Sequence, residues 1–121
     1  MLAQKQRIVV LGGSFNPPTI AHLRLMEAAM EAVGAEKGIF VPVGEAYLKR
    51  KMRKSEDHIR LSEQMRMDML QAMCMGRPEL LISDLEIQNQ LIYTRQSMGI
   101  LQEDYPSAKL YLSQARISFR C

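Results

Sequence analysis

The chain has 121 residues, of which 47% are hydrophobic and 24% are charged, and its formal net charge is +3. This length supports one domain and excludes two of ordinary size, and the composition excludes an intrinsically disordered chain. No apolar run approaches the roughly 20 residues of a membrane-spanning helix, and no signal-peptide segment precedes the first predicted strand. We therefore predict a single cytoplasmic domain over residues 1–121 with no membrane partner.

Cysteine and methionine usage indicates neither a disulfide framework nor a metal site. Cys74 and Cys121 have no His or Cys neighbours at metal-ligand spacing, so we expect free thiols and no protein-bound metal. The ten methionines fall mostly at helical spacing, which is typical of core packing. On this basis Met26, Met30, Met65, Met69 and Met73 are predicted to lie in the core.

Basic residues are concentrated in residues 49–54, which hold five of the sixteen lysines and arginines. The remaining eleven stand against thirteen acidic residues, so the positive charge is a local patch. Such a patch is compatible with a solvated loop, with contacts to nucleic-acid backbone, or with a phosphorylated small ligand. Its position after the second predicted strand favours the small ligand, and we expect no nucleic-acid partner.

Short apolar strands alternate with amphipathic helices along the chain. The apolar runs predict strands at residues 7–11, 38–42, 80–84 and 109–112. Three helices are predicted: from the N-cap Thr19 to Gly34, from near Ser55 to Gly76, and over residues 94–103. This alternation predicts an α/β fold with right-handed crossovers and a parallel sheet covered on both faces.

The first strand leads into GGSFNPPTIAH, residues 12–22, at the carboxyl end of the predicted sheet, where open parallel sheets bind ligands. Gly12 and Gly13 are interpreted as a turn that brings a phosphate close to the backbone. The prolines delay the helix until Thr19, and His22 in its first turn adds a donor beside the free N–H groups. Ordinary loop chemistry explains the same residues, and the spacing matches neither GxGxxG nor GxxxxGK[ST].

The segment GSFNPPTIAHLRL resembles the (H/T)xGH signature of the nucleotidylyltransferase superfamily, here Thr19-Ile20-Ala21-His22. Within it the chain is most similar to the nicotinamide and nicotinate mononucleotide adenylyltransferases. Ala21 departs from the usual glycine, as eukaryotic-type members also do. Further similar segments follow in the family's order: IFVPVGEAYLKRK, HIRLSEQMRMDML and YTRQSM. The resemblance is strongest over residues 7–98 and implies a Rossmann-like three-layer αβα fold.

The resemblance also implies the site residues. In such enzymes Lys49 would contact the mononucleotide phosphate, and Tyr93 and Thr94 would lie against the nicotinate or nicotinamide ring. His22 would be the catalytic donor to the ATP phosphates. The ATP-binding residues would be Gly13, Ser14, Phe15, Thr19 and His22, and the mononucleotide-binding residues Ser14, Phe15, Lys49, Tyr93 and Thr94.

The implied reaction is transfer of AMP from ATP to nicotinamide or nicotinate mononucleotide, which releases pyrophosphate and forms NAD or deamido-NAD. Mg²⁺ is expected to accompany ATP, and no tightly bound organic cofactor is expected. The protein would position two polyanions and neutralise their charge rather than supply a nucleophile. The partners are the two nucleotides, and assembly into a homo-oligomer is left open.

Two alternatives stay open. The family's Gly-x-Asp turn and (S/T)xxxxR segment have no match in LYLSQARISFRC, so we expect the chain to lack the family's C-terminal part and one side of the ATP site. The chain is then compatible with a catalytically defective module that serves binding or assembly. The second alternative is a related nucleotidylyltransferase with another phosphate acceptor, such as phosphopantetheine.

Overall fold

The computed structural model describes residues 5–52, 60–90 and 94–114. The strands are β1 (Gln6–Gly13), β2 (Lys37–Pro42), β3 (Leu80–Ile82) and β4 (Ala108–Gln114). The helices are α1 (Ile20–Val33), α2 (Glu45–Met52), α3 (Glu63–Met73), α4 (Leu85–Asn89) and α5 (Thr94–Asp104). The strands form one parallel sheet in the order β3-β2-β1-β4, which confirms the predicted α/β class. Of the helices in these ranges, none has the length and apolar composition that a bilayer crossing requires.

β1 lies inside the sheet, and its side chains are buried on both faces. Ile8 and Val10 pack with buried side chains of α4 and α5. Val9 and Leu11, which point the opposite way because successive strand residues alternate, pack with α1 and α3. Helices therefore cover both faces, and the three-layer αβα arrangement is confirmed.

α1 begins and ends where the sequence predicts. Thr19 is the N-cap, with an extended backbone. Gly34 ends the helix in the left-handed conformation, φ 67°, which glycine adopts without a steric penalty. Met26 is fully buried, and Met30 packs beside it against the sheet, as the helical spacing predicted.

The two glycines at the end of β1 do not form a turn. Gly12 and Gly13 continue the strand and pair with Val41 and Pro42 of β2. The interpretation of these glycines as turn residues was wrong, because the ladder with β2 holds both of them extended. The left-handed backbone falls instead on Phe15, with φ 47°.

The second predicted helix starts later than its sequence pattern indicates. Residues 60–62 are not helical, and Ser55 lies outside the described residues. Ser62 is the N-cap of α3, and its side chain accepts a hydrogen bond from the Met65 N–H at 3.1 Å. A cap of this kind satisfies a backbone donor that the first turn leaves unpaired, and so defines the start of the helix.

α3 also buries a different face from the one predicted. Met65 and Met69 are 51% and 38% exposed, whereas Arg66 and Leu70 are fully buried. Met73 packs partly buried against the core, as predicted. The two candidate faces both repeat every four residues and differ by only about 100° around the helix, so periodicity does not separate them.

Two helices were not predicted. α2 includes Lys49, so this part of the basic segment is helical rather than a loop. Its residues are mostly good helix formers, and Leu48 is buried. The many charged residues of the segment indicated a solvated loop, so its apolar side was not recognised. α4 is only five residues long, too short to show a helical period, and Asp84, predicted in the third strand, is its N-cap.

Substitution of two neighbouring residues tests which face of α3 is buried. Leu70 has no exposed surface and Met69 is partly exposed. We expect Leu70→Ala to lower the free energy of unfolding by about 2–5 kcal/mol, because it leaves a cavity in the core. Met69→Ala should lower it by less than about 1 kcal/mol. Urea denaturation followed by circular dichroism measures both, and an equal or larger loss for Met69→Ala would contradict this packing.

Candidate functional site

The predicted ATP-binding residues gather at the carboxyl end of β1. Gly13 ends the strand, Ser14 and Phe15 follow it, and Thr19 and His22 lie at the start of α1. β1 lies between β2 and β4, so the order of strands along the chain reverses beside it. This reversal is the position at which open α/β sheets bind their ligands.

The side chain of His22 turns back onto the N-cap of its own helix. The backbone N–H of Thr19 donates to His22 Nδ1 at 2.9 Å, and Thr19 Oγ1 lies 3.1 Å from the same nitrogen. Because a backbone N–H can only donate, Nδ1 is the acceptor and the neutral ring carries its proton on Nε2. His22 thus takes the place of the Glu or Gln in a capping box. Its second nitrogen is therefore a hydrogen-bond donor.

Burial and ring packing hold His22 in this state. The Phe15 ring meets the imidazole edge-on, with centroids 5.0 Å apart, and Phe40 of β2 meets Phe15 edge-on at 5.7 Å. Burial lowers the pKa of His22, because the imidazolium would lose its hydration. Protonation of Nδ1 would also remove the hydrogen bond from the Thr19 N–H. The ring is consequently favoured in its neutral form.

Ser14 and Phe15 relate to the site in different ways. The Phe15 side chain is only 1% exposed, so a contact with a ligand would come from its backbone, while the ring supports His22. Ser14 is half-buried, and its carbonyl accepts a hydrogen bond from Arg66 Nη1 at 3.0 Å. The predicted contacts of both residues with the two nucleotides stay predictions.

Lys49 lies on α2, which follows the carboxyl end of β2. Its Nζ is 3.5 Å from Glu45 Oε1, one helical turn earlier, and both side chains are exposed. An exposed pair of this spacing contributes only about 0.3–0.5 kcal/mol, so little opposes transfer of the ammonium group to a bound anion. Its predicted contact with a mononucleotide phosphate stays a prediction.

The other predicted mononucleotide contacts are described in part. Tyr93 lies outside the described residues, and Thr94 is the first residue of α5. The structure adds a contact that the sequence did not predict: Ser97 Oγ, in the first turn of α5, donates to Glu86 Oε2 of α4 at 2.7 Å. Burial raises the pKa of Glu86, and the hydrogen bond from Ser97 opposes that change. The pair joins α4 to the start of α5.

Gly44 allows α4 and the start of α2 to approach each other. A Cβ at this position would lie 2.8 Å from Gln90 Oε1 and 3.0 Å from the carbonyl oxygen of Glu86. The second contact is with backbone, which a side-chain rotation does not relieve. The glycine of the PVGEAY segment is therefore required by packing beside the site.

Arg66 is the main residue of this edge that the sequence analysis missed. It has no exposed surface, and its Nη1 donates to the carbonyls of Ser14 at 3.0 Å and Val43 at 2.7 Å. Burial lowers the pKa of Arg66, and two nearby carboxylates oppose that effect. A signal was present in the sequence, because Arg66 stands one turn before Leu70 in the HIRLSEQMRMDML segment.

Comparison with known proteins gives one family and several relatives. Residues 10–112 match the family model described as cytidylyltransferase-like. A probable nicotinate-nucleotide adenylyltransferase of Aquifex aeolicus is 34% identical over 112 residues, which cover 92% of this chain and 62% of that protein. One of Rhodopirellula baltica is 34% identical over 107 residues, covering 87% and 47%. The chain therefore spans about half the length of these curated relatives.

Two solved structures share the fold. A Vibrio parahaemolyticus protein superposes with a TM-score of 0.66 at 23% identity, over 88% of this chain and 59% of that protein. The nicotinic acid mononucleotide adenylyltransferase of Plasmodium falciparum, complexed with NaAD, gives a TM-score of 0.65 at 19% identity, over 88% and 50%. At these identities the likeness establishes the Rossmann-like fold alone.

The state of His22 leads to a prediction for stability. Its pKa is lowered in the folded protein, so as the pH falls the unfolded chain takes up this proton first. The stabilisation is fully present above the ordinary value of 6.5 and is lost as the pH falls from there through the lower folded-state pKa. We expect the free energy of unfolding to decrease over that range.

His22→Gln should lack this part of the pH dependence, because its amide does not titrate and its oxygen can still accept from the Thr19 N–H. Urea denaturation of both proteins between about pH 7.5 and pH 5 measures the difference. Parallel pH profiles for the two proteins would show that His22 does not carry the effect.

Proposed function

This chain belongs to the cytidylyltransferase-like family, and on that premise we propose that it transfers AMP from ATP to nicotinate or nicotinamide mononucleotide and releases pyrophosphate. The observation that carries the proposal is the hydrogen bond from the Thr19 N–H to His22 Nδ1. It makes Nε2–H a donor at the end of β1, where the phosphates of a nucleotide would lie. The fold by itself would not be sufficient, since similar folds perform many reactions.

In the proposed reaction a phosphate oxygen of the mononucleotide attacks the α-phosphorus of ATP. A new P–O bond forms, the bond from that phosphorus to the bridging oxygen breaks, and pyrophosphate leaves with the electron pair. The protein would position two polyanions and stabilise the charge of the transition state. A neutral His22 suits this role, because it donates from Nε2 without having to gain a proton first, and its lowered pKa supports that form.

The remaining predicted residues would divide between the two nucleotides. Gly13 and Ser14 would approach the ATP phosphates through their backbone, beside the free N–H groups at the start of α1. Lys49 would exchange its exposed partner Glu45 for the mononucleotide phosphate. Thr94, at the start of α5, and Tyr93 would contact the ring.

Mg²⁺ would enter the site as its complex with ATP. In nucleotide sites this ion is held mainly by phosphate oxygens and water, with few protein ligands. Within residues 5–52, 60–90 and 94–114, no group of three or more His, Cys, Asp or Glu is arranged to hold a metal ion. The ion would therefore be held by the nucleotide rather than by a protein metal site.

Nicotinate mononucleotide is the first acceptor to test. The two curated relatives are named for nicotinate nucleotide, and the Plasmodium protein was solved with NaAD. These names describe those proteins. For this chain they decide only which of the two acceptors is tested first. The absence of a nucleic-acid partner and the cytoplasmic location stay predictions, and the oligomeric state stays open.

Turnover by the purified chain tests the proposal. With ATP, Mg²⁺ and nicotinate mononucleotide it should form deamido-NAD and pyrophosphate, measured by liquid chromatography. His22→Ala should lower kcat/KM by about 100-fold or more, because it removes a donor to the charge that develops in the transition state. A reaction without mononucleotide is the control for ATP hydrolysis.

The outcomes separate the proposal from its alternatives. Calorimetric binding of nicotinate mononucleotide without product would favour the catalytically defective binding module. Product with phosphopantetheine and none with either pyridine mononucleotide would favour a related nucleotidylyltransferase. A His22→Ala variant as active as the wild type would contradict the role assigned to the histidine.

A second prediction concerns the acceptor phosphate. Lys49→Ala should raise the Kd for the mononucleotide about tenfold, the effect of losing one charge-assisted hydrogen bond, and should change the Kd for ATP much less. Lys109→Ala is the matched control, because Lys109 is also exposed but lies opposite Arg7 in the β1–β4 ladder, near the amino ends of the strands. Equal changes for the two variants in isothermal titration calorimetry would contradict a specific contact.

A further inference from the structure

Arg66 connects the two segments that flank the proposed site. Its Nη1 donates to the Ser14 carbonyl, at the start of the β1–α1 loop, and to the Val43 carbonyl, directly after β2. Ser14 is a predicted contact of both nucleotides, and Val43 leads into the helix that carries Lys49. A single buried guanidinium therefore links the segment expected to hold ATP with the segment expected to hold the mononucleotide phosphate.

The buried guanidinium of Arg66 has few hydrogen-bond acceptors for its donors. Among the residues that the structure describes, Nε and Nη2 of Arg66 have no hydrogen-bond partner. The carboxylates of Glu63 and Glu45 act on the guanidinium through space, and among the described residues Arg66 itself forms no ion pair. Unpaired buried donors are unfavourable, and apolar replacements of similar volume are often neutral or stabilising. Stability of the fold is therefore a weak reason for an arginine here.

Two residues shortly before Arg66 in the chain, Leu61 and Glu63, make the same connection. The Leu61 N–H donates to Asn16 Oδ1 of the β1–α1 loop at 2.8 Å. Glu63 Oε2 accepts a hydrogen bond from the N–H of Glu45, the first residue of α2, at 2.6 Å. The start of α3 and the residue before its N-cap thus contact both segments through hydrogen bonds that do not involve Arg66.

We infer that Arg66 is a positioning residue that holds the β1–α1 loop and the start of α2 at the separation which ATP and the mononucleotide require. The inference rests on the proposed function, since its two ligands are those of that proposal. It explains why a buried and partly unpaired charge occupies this position. Phosphate groups bound beside the two segments would also bring negative charge towards the guanidinium.

Ligand-free hydrogen exchange of the whole chain tests the positioning directly. The reporters are the amides of Thr19 and Val43, which donate to His22 Nδ1 and to the Gly13 carbonyl. Arg66→Met, which keeps volume and removes all donors, should make both amides exchange about tenfold faster or more, with an unchanged or higher thermal midpoint. The Gly38 amide, which donates to the Glu79 carbonyl at the opposite edge, should not change.

Two further variants complete the comparison. Arg66→Lys retains the charge and one donor group, so its exchange rates should lie between those of the wild type and Arg66→Met. Arg77→Met is the matched control, because Arg77 is a surface arginine beyond the other end of α3, where it pairs with Glu79. It should leave the exchange of Thr19 and Val43 unchanged.

Affinity supplies the functional measurement. In calorimetry, Arg66→Met should raise the Kd for both ATP·Mg²⁺ and nicotinate mononucleotide about tenfold, because the pre-arranged spacing is lost. Arg66→Lys should recover part of each affinity. A residue that served stability alone would instead lower the thermal midpoint and leave the affinity of the folded fraction unchanged.

Each outcome decides the inference. Unchanged exchange at Thr19 and Val43 in folded Arg66→Met would overturn it, as would unchanged affinities. Failure of both Arg66 variants to fold would also overturn it, because Arg66 would then serve folding alone. If the wild-type chain binds neither nucleotide, the proposed function fails, while the exchange comparison still decides whether Arg66 holds the two segments.

Discussion

The burial of β1 on both faces within a parallel sheet is the constraint on which the structure depends. Parallel neighbours require crossover connections, and a strand that is apolar on both sides requires helices above and below it. All strands consequently end at one edge, and the helix starts meet there. The segment that follows β1 lies beside the reversal in strand order, which is where a ligand can reach backbone donors from several elements.

Three basic side chains at this edge differ in environment, and the difference gives them different chemistry. His22 is buried and accepts at Nδ1, which favours a neutral ring that donates from Nε2. Arg66 is buried with a charge that no nearby carboxylate pairs within the described residues, which suits a role inside the scaffold. Lys49 is exposed in a weak ion pair and is free to move to a phosphate.

Features governed by near neighbours in the chain were predictable. The N-cap at Thr19 and the glycine stop at Gly34 follow from local capping chemistry, and both are confirmed. The strand end was not predictable in the same way. Gly12 and Gly13 look like a turn in isolation, but pairing with β2, formed by residues far along the chain, keeps them extended. α2 was missed because its many charged residues are typical of a solvated loop, although Leu48 packs into the core.

The sequence by itself determined the parallel α/β fold and the position of Thr19 and His22 at the start of α1, because each depends on apolar patterning or on residues within one helical turn. Tertiary structure decided the buried face of α3 and the place of Arg66. Two faces of that helix repeat with the same period, and the carbonyls that accept from Arg66 lie 52 and 23 residues away in the chain. A buried guanidinium needs acceptors, and their arrangement exists only once β1 and β2 have paired.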